Sequence, residues 1–204
     1  HKYTDDVAYK LQTDNPNSYI DLAKKINQNS KIQIVLLQHE FGLFRDNESD
    51  LNTFLQTINK PKIVVFHTVL PNANELIKSC VKNIDVCVDS FIVMTKSSAK
   101  ILVEEYDINI DKITIIPHGT HLVEHTNKAI LKEKYNVSGR KVISTFGLLS
   151  SGKCIETSIN TLRTIVKQHP EVLFLVIGKT HPTVVKNEGE KYRENLEAKI
   201  CALR

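Results

Sequence analysis

The chain has 204 residues, of which 41% are hydrophobic and 25% are charged, and this balance excludes a disordered or a fibrous protein. Its 27 basic and 23 acidic residues are interleaved and give a net charge of +4, which argues against a nucleic-acid partner but allows a basic pocket for an anionic ligand. The cysteines form no C-x-x-C pair, the N-terminal segment is polar, and no apolar run approaches the roughly 18 residues of a transmembrane segment, so a reducing, cytoplasmic location is predicted.

Short apolar runs in the first part of the chain predict the strands of a parallel sheet. Each is apolar nearly throughout, as in strands that are covered on both faces. The predicted strands span residues 31–38, 62–68, 89–95 and 112–119. The predicted helices between them span residues 46–59, 74–84 and 96–106. This alternation predicts a βαβαβ arrangement.

A second strand–helix–strand pattern follows the polar stretch at 122–140. Its predicted elements are a strand at 141–147, a helix at 154–168, a strand at 171–179 and a final helix from Glu188. These elements are too few to close a doubly wound sheet of ordinary size. We therefore expect an α/β protein of two lobes with parallel sheets, both of them incomplete.

The segment FGLLSSGKCIE joins a predicted strand to a predicted helix, where the free N–H groups of the helix start can face an anion. From Gly147 to Lys153 it has the spacing G-x-x-x-x-G-K of an ATP-binding P-loop, but Cys154 replaces the hydroxyl that would hold Mg²⁺. The next apolar strand ends in a glycine and Lys179 instead of the required acidic residue. The pattern favours a phosphate-binding turn without a magnesium site, and a serine-rich structural turn is the alternative.

Six segments follow one another in the order and spacing of a known enzyme family. They are QHEFGLF (38–44), VVFHTVLP (64–71), FIVMTKSSAKILVEEY (91–106), IIPHGTH (115–121), FGLLSSGKCIE (146–156) and VIGKTHP (176–182). They resemble landmarks of the retaining glycosyltransferases of family 4, bacterial mannosyl- and hexosyltransferases in particular, which have the GT-B architecture. The resemblance implies two Rossmann-like domains, an acceptor-side domain at 1–126 without its first strand and loop, and the start of a nucleotide-sugar domain at 127–204. It covers about half of a full transferase.

The resemblance also implies a reaction. A hexose, mannose among the candidates, would pass from a nucleotide diphosphate sugar to a glycan or lipid-linked acceptor with retention of configuration, and a lipid-linked acceptor is compatible with peripheral association with a membrane. No cofactor and no obligatory metal are expected. The alternative is a non-catalytic GT-B-like binding module or an inactive fragment, because Leu148 replaces a frequent arginine and the family's donor-binding glutamate pair is absent from the chain.

The resemblance assigns donor binding to six residues: Gly147, Ser151, Gly152, Lys153, Gly178 and His181. Lys153 would stabilise the charge that develops on the departing nucleoside diphosphate, and Lys179 would compensate for Leu148. For His181 the alternative is a turn set by the following proline. Glu190 and Glu197 have the seven-residue separation of the family's glutamate pair, but they are predicted to be solvated on an amphipathic helix.

His67 lies at the end of a predicted strand, where ligands of open α/β sheets bind, and the resemblance makes it the catalytic residue near the transferred sugar. The alternative is a cap of the next helix. Glu40 and His118 also end strands and are assigned to the acceptor, with a plain surface loop as the alternative for Glu40. His118, His121 and His125 have a spacing that could suit a metal, but they lie in a connection that nothing holds rigid, so no metal site is predicted.

Overall fold

The computed structural model describes residues 3–44 and 47–202. The chain forms two compact units that divide between His121 and Leu122. The described part of the first unit contains a sheet of four strands, and that of the second contains a sheet of two. The boundary suggested by the sequence, after residue 126, lies in the same extended segment, since residues 116–127 belong to neither a helix nor a strand.

In the first unit, helices and strands alternate as the apolar runs predict, with one further helix in front. The helices are α1 (Pro16–Gln28), α2 (Glu48–Thr57), α3 (Glu75–Asp85) and α4 (Lys96–Tyr106). The strands are β1 (Val35–His39), β2 (Lys62–Phe66), β3 (Ser90–Val93) and β4 (Ile113–Ile115). A 3-10 turn at Ile110–Lys112 precedes β4. The predicted start of α2 at Asp46 lies outside the described residues.

The strands of the first sheet are all parallel and adjacent in sequence order, β1-β2-β3-β4, which confirms the predicted parallel sheet. The last residues of β1 and β2, His39 and Phe66, are register partners. Because parallel strands end at the same edge of a sheet, the residues that follow them are also neighbours. Glu40 and His67 therefore lie side by side at the carboxyl edge.

The core of the first unit joins its helices to the central strands. Its largest fully buried side chains include Tyr19, Leu55, Phe66, Phe91 and Tyr106, which come from α1, α2, β2, β3 and α4. Burying an apolar side chain of this size contributes about 1.5–3 kcal/mol. This packing fixes the strands whose ends carry the candidate site residues.

The second unit contains more helices than the sequence analysis predicts. Its elements are α5 (Lys128–Lys134), β5 (Lys141–Phe146), a 3-10 turn (Ser151–Lys153), α6 (Ile155–Gln168), β6 (Val172–Ile177), α7 (Pro182–Glu188) and α8 (Lys191–Ala202). β5 and β6 pair in parallel, as predicted. The final helix was predicted to begin at Glu188, and this is wrong, because α7 ends there and Gly189 caps it with a φ of 69°. The small core of this unit contains Leu149, Ile155, Ile159 and Leu196.

Every predicted strand extends beyond the observed one, and the predictions for β1 and β4 overshoot the most. Residues 31–34 lie before β1 and do not pair with a neighbouring strand. The Ile32 N–H donates to the Asn29 carbonyl at 3.1 Å in a turn, and the Ile32 carbonyl accepts from the Lys60 ammonium at 2.5 Å. β4 ends before Pro117, which has no N–H to continue the ladder. Within the described ranges, no helix is both long and apolar enough to cross a membrane.

Candidate functional site

Polar side chains meet at the carboxyl edge of the first sheet. The Thr68 hydroxyl donates to Glu40 Oε1 at 2.5 Å, and Gln38 Oε1 lies 2.7 Å from His67 Nε2. The ring centroids of His67 and His118 are 6.2 Å apart. The structure therefore brings together His67, Glu40 and His118, which the sequence analysis selects, and adds Gln38 and Thr68, which it does not.

His39, the last residue of β1, lies in the core, where its ring contacts Phe41, Phe44 and Phe66. Burial, only partly offset by the nearby Glu40 carboxylate, lowers the pKa of His39 to about 4. The imidazole is therefore neutral at pH 7 and carries no charge that could balance the Glu40 carboxylate.

The loop that follows His67 is fixed by α4. The Tyr106 hydroxyl donates to the Leu70 carbonyl at 2.7 Å, and the Asn72 N–H donates to Glu105 at 2.6 Å. The cap of α3 is Asn74, whose side chain accepts from the backbone N–H of Ile77. His67 is therefore not the cap of the next helix, and it remains at the end of its strand with an exposed ring.

In the second unit, two loops run side by side beyond the ends of β5 and β6. We call residues 147–150 and 178–181 the paired loops. The Gly147 N–H donates to Ile177, the Leu149 N–H to Lys179, and the His181 N–H back to Leu149, at 3.0, 2.8 and 2.9 Å. Parallel pairing therefore continues past the strands and places three of the six predicted donor residues, Gly147, Gly178 and His181, at one edge.

The paired loops approach each other most closely at two glycines. Gly147 and Gly178 have φ values of 125° and 153°, which side-chain-bearing residues rarely adopt. A Cβ atom on Gly178 would lie 1.8 Å from the Gly147 carbonyl oxygen. A side chain at position 178 would prevent this approach, which explains why a glycine occupies that position.

Ser151, Gly152 and Lys153 form the exposed 3-10 turn between the first paired loop and α6. Within the described ranges, no hydrogen bond uses the backbone N–H groups of Ser151 and Gly152. Cys154 then enters α6 with a left-handed backbone, φ 49° and ψ 37°, and without a side-chain cap. The turn thus offers two N–H groups and one cationic side chain ahead of a helix start.

The His181 side chain caps a helix, whereas the Lys179 side chain is exposed to solvent. The His181 side chain caps α7, because its Nδ1 accepts from the Thr183 N–H at 3.1 Å, and Pro182 occupies the first helical position. Lys179 is exposed in the second paired loop. The second paired loop therefore carries an exposed lysine, whose backbone carbonyl accepts from the Leu149 N–H of the first paired loop. The Nδ1 atom of His181 is used by the helix.

Glu190 is exposed, as predicted, but it lies in a turn before α8, and its side chain makes two contacts. Its carboxylate accepts a hydrogen bond from the hydroxyl of Thr180, which is only 5% exposed, and lies 3.5 Å from Arg193. The sequence analysis predicts no contact for Thr180. Glu197 is exposed, as predicted.

The described residues contain no group of three or more histidine, cysteine, aspartate or glutamate side chains that could hold a metal ion. His118, His121 and His125 are exposed in the segment without regular structure. The charged groups nearest the paired loops are those of lysine, arginine and Glu190.

No protein-family model and no curated protein matches this chain. Solved structures do match. The chain is similar to Anabaena HepE in complex with UDP, with a TM-score of 0.69 and 13% identity over 92% of this chain and 49% of the other. It is similar to a glycosyltransferase from Rickettsia africae, with a TM-score of 0.68 and 17% identity over 97% of this chain and 51% of the other.

A third likeness is to a TarM variant of S. aureus in complex with fondaparinux, alpha-GlcNAc-glycerol and UDP. Its TM-score is 0.60, with 17% identity over 90% of this chain and 34% of the other. The chain thus spans about half the length of the first two proteins and a third of TarM. These likenesses establish the fold, which is the α/β GT-B type with two Rossmann-like lobes, as the sequence predicts.

Proposed function

We propose that the chain carries the donor-binding turn and acceptor-binding groups of a glycosyltransferase. In this proposal the second unit binds a nucleotide diphosphate sugar, and the first binds a glycan or lipid-linked acceptor. The transferred sugar is a hexose, with mannose among the candidates, and its anomeric configuration is retained. The supporting observation is the close approach of Gly147 and Gly178 at the ends of two parallel strands. The chain also shares its fold with two proteins that were solved in complex with UDP.

The turn after the first paired loop suits a diphosphate. Its oxygens accept hydrogen bonds from backbone N–H groups, and the N–H groups of Ser151 and Gly152 have no acceptor among the described residues. Lys153, in the same turn, adds a full positive charge. The space beside Gly147 is open, because an added Cβ atom there would meet nothing within 4 Å.

The chemistry requires charge stabilisation at this turn. As the bond between the sugar and the diphosphate breaks, negative charge accumulates on the diphosphate oxygens, and fixed dipoles and cations nearby lower the barrier. We assign this role to Lys153 and not to Mg²⁺, because the exposed thiol of Cys154 is a poor ligand for a hard cation.

The first unit supplies groups that suit hydroxyls. Glu40 Oε2 is buried and has no hydrogen-bond partner among the described residues, so it can accept from an acceptor hydroxyl. Gln38 occupies His67 Nε2, which leaves Nδ1 of the exposed ring for a substrate. We assign Glu40 and His118 to the acceptor and His67 to the reacting sugar.

Titration of UDP into the protein, followed by calorimetry, tests the donor site. Lys153→Ala should weaken binding by about 1.5–3 kcal/mol, the range for a hydrogen bond to a charged group, and Lys153→Arg should weaken it less. Lys167→Ala, which removes an exposed lysine at the other end of α6, is the matched control and should bind like wild type. Equal affinity of wild type and Lys153→Ala would refute the donor-site assignment.

Two further assays separate the alternatives. Mg²⁺-dependent phosphate release from ATP that disappears in Lys153→Ala would favour a triphosphatase. UDP binding without sugar transfer from any nucleotide sugar, in a screen of donors by mass spectrometry, would favour a non-catalytic binding module.

A further inference from the structure

We infer that Arg193, supported by Glu190, is a positioning residue that aims the backbone N–H of Lys179 at the bound diphosphate. This inference rests on the proposed function. It adds a donor group from the second paired loop to those of the turn at Ser151–Lys153, and it gives the start of α8 a role that the motif pattern does not contain.

The contacts at the start of α8 hold the second paired loop from one side. Arg193 Nη2 donates to the Gly178 carbonyl at 2.6 Å, and its Nε lies 3.5 Å from Glu190 Oε2. The same Glu190 oxygen accepts from the buried Thr180 hydroxyl. Gly178 and Thr180, the positions on either side of Lys179, are thus tied to one charged pair.

The direction of the Gly178 carbonyl determines the direction of the next N–H. In a planar trans peptide, the C=O of one residue and the N–H of the following residue point in opposite directions, and the chain contains no cis peptide among its described residues. Since the Gly178 carbonyl points towards Arg193, the Lys179 N–H points away from α8. This N–H donates no hydrogen bond within residues 3–44 and 47–202.

α8 can act as a support because it is packed against α6. Leu196 is 6% exposed in the small core, and the Tyr192 hydroxyl donates to Glu156 Oε2 at 2.7 Å. Burial and the hydrogen bond to this carboxylate raise the pKa of Tyr192 to about 12, so the hydroxyl keeps its proton. Tyr192 therefore holds the first turn of α6, while Arg193, the next residue, holds the loop that follows β6.

Charge explains why an arginine suits this position. Arg193 is engaged by the Gly178 carbonyl and by Glu190, so its role is to orient the loop and not to contact the phosphate. Its planar group can serve the carbonyl and the carboxylate at once, which an ammonium does less well. The carboxylate also offsets part of its charge, which leaves Lys153 and Lys179 as the cations available to a ligand.

The test is amide NMR of the ¹⁵N-labelled protein with UDP as the ligand. In wild type, UDP should shift the Lys179 amide at the concentrations that shift the amides of Ser151 and Gly152. Arg193→Leu should abolish the Lys179 shift and weaken UDP binding about fivefold, the effect of one ordinary hydrogen bond. Arg193→Lys should restore part of both, and the control Arg163→Leu, an exposed arginine of α6, should change neither.

A second measurement needs no ligand. Hydrogen exchange at the amides of Leu149 and His181, which join the paired loops, should accelerate on the order of tenfold in Arg193→Leu and less in the milder Glu190→Gln, but not in Arg163→Leu. Unchanged exchange in Arg193→Leu, or a Lys179 amide that UDP does not move while the Gly152 amide shifts, would overturn the inference. If wild type binds no UDP, the proposed function fails, and the exchange rates alone decide whether Arg193 positions the loop.

Discussion

Replacing Gly178 by alanine should separate the paired loops. The new Cβ atom would lie 1.8 Å from the Gly147 carbonyl oxygen, a backbone atom that cannot move alone, and the residue would keep a φ of 153°. The unfavourable backbone costs about 1–2 kcal/mol. Separating the loops also breaks up to three hydrogen bonds between them, at about 1 kcal/mol each. We expect the second unit to lose about 3–5 kcal/mol of unfolding free energy.

Gly139→Ala is the matched control for this experiment. Gly139 lies in the same unit and also has a positive φ, 74°, but nothing lies within 4 Å of an added Cβ atom. This variant should therefore lose only the backbone contribution of about 1–2 kcal/mol. Urea titrations followed by NMR signals of the second unit measure both. A Gly178→Ala loss no larger than that of Gly139→Ala would refute the close contact as the reason for this glycine.

Two further predictions concern single positions. Folded His39 stays neutral down to about pH 4, whereas the unfolded chain takes up its proton near 6.5, so His39 makes the first unit less stable as pH falls from 6.5 towards 4. His39→Phe should reduce the stability difference between pH 6.5 and pH 5 by about 2 kcal/mol in urea titrations, and an unchanged pH dependence would contradict this. Cys154→Gly, which relieves the left-handed backbone at φ 49°, should be about 1 kcal/mol more stable than Cys154→Ala in thermal unfolding, and equal stability would contradict it.

Where a strand is buried from both sides, its continuous apolar run makes it predictable from the sequence. In β2, for example, Val64, Val65 and Phe66 are successive buried residues, so the apolar run is continuous and does not alternate. A continuous run indicates a parallel strand but not its ends, since the flanking Ile32 packs against the same core from a turn. The predicted strands therefore exceed the observed ones at their margins.

The missed helices have different causes. In α1, Tyr19, Ala23 and Ile26 are buried on one face, and Asn15 and Pro16 form a start signal, so a fuller search for helical periodicity would have identified it. α5 and α7 have only seven residues each, which is too short for a periodic pattern to stand out. For α7 the sequence suggests only a turn at Pro182, although the same proline begins the helix.

The candidate site could be predicted as positions but not as contacts. Parallel strands end at one edge, so strand ends alone suffice to group Glu40 with His67. The pairing of Gln38 with His67 depends on the register between β1 and β2 and on side-chain direction, which one sequence does not specify. Thr180 illustrates the same limit, because nothing in the sequence indicates that its hydroxyl donates to Glu190.

Three of the six positive-φ residues described in the second unit, Gly147, Gly178 and Cys154, belong to the paired loops or follow the turn beside them. Asn136 and Gly189, at φ 55° and 69°, follow the ends of short helices, where a left-handed residue is ordinary. Cys154, at φ 49°, follows the end of the 3-10 turn, and as a residue with a side chain it costs of order 1–3 kcal/mol in this conformation. Gly147 and Gly178 follow strands, and glycine adopts their angles readily.

Leu149 is the residue that holds the paired loops in this conformation. It belongs to the first paired loop, is only 3% exposed, and packs in the same small core as Ile155, Ile159 and Leu196. The loop therefore cannot relax without withdrawing an apolar side chain from the core, at a cost of about 1.5–3 kcal/mol. Because this order is set when the unit folds, the proposed diphosphate would meet N–H groups already in place, and little of its binding free energy would be lost in ordering the loop.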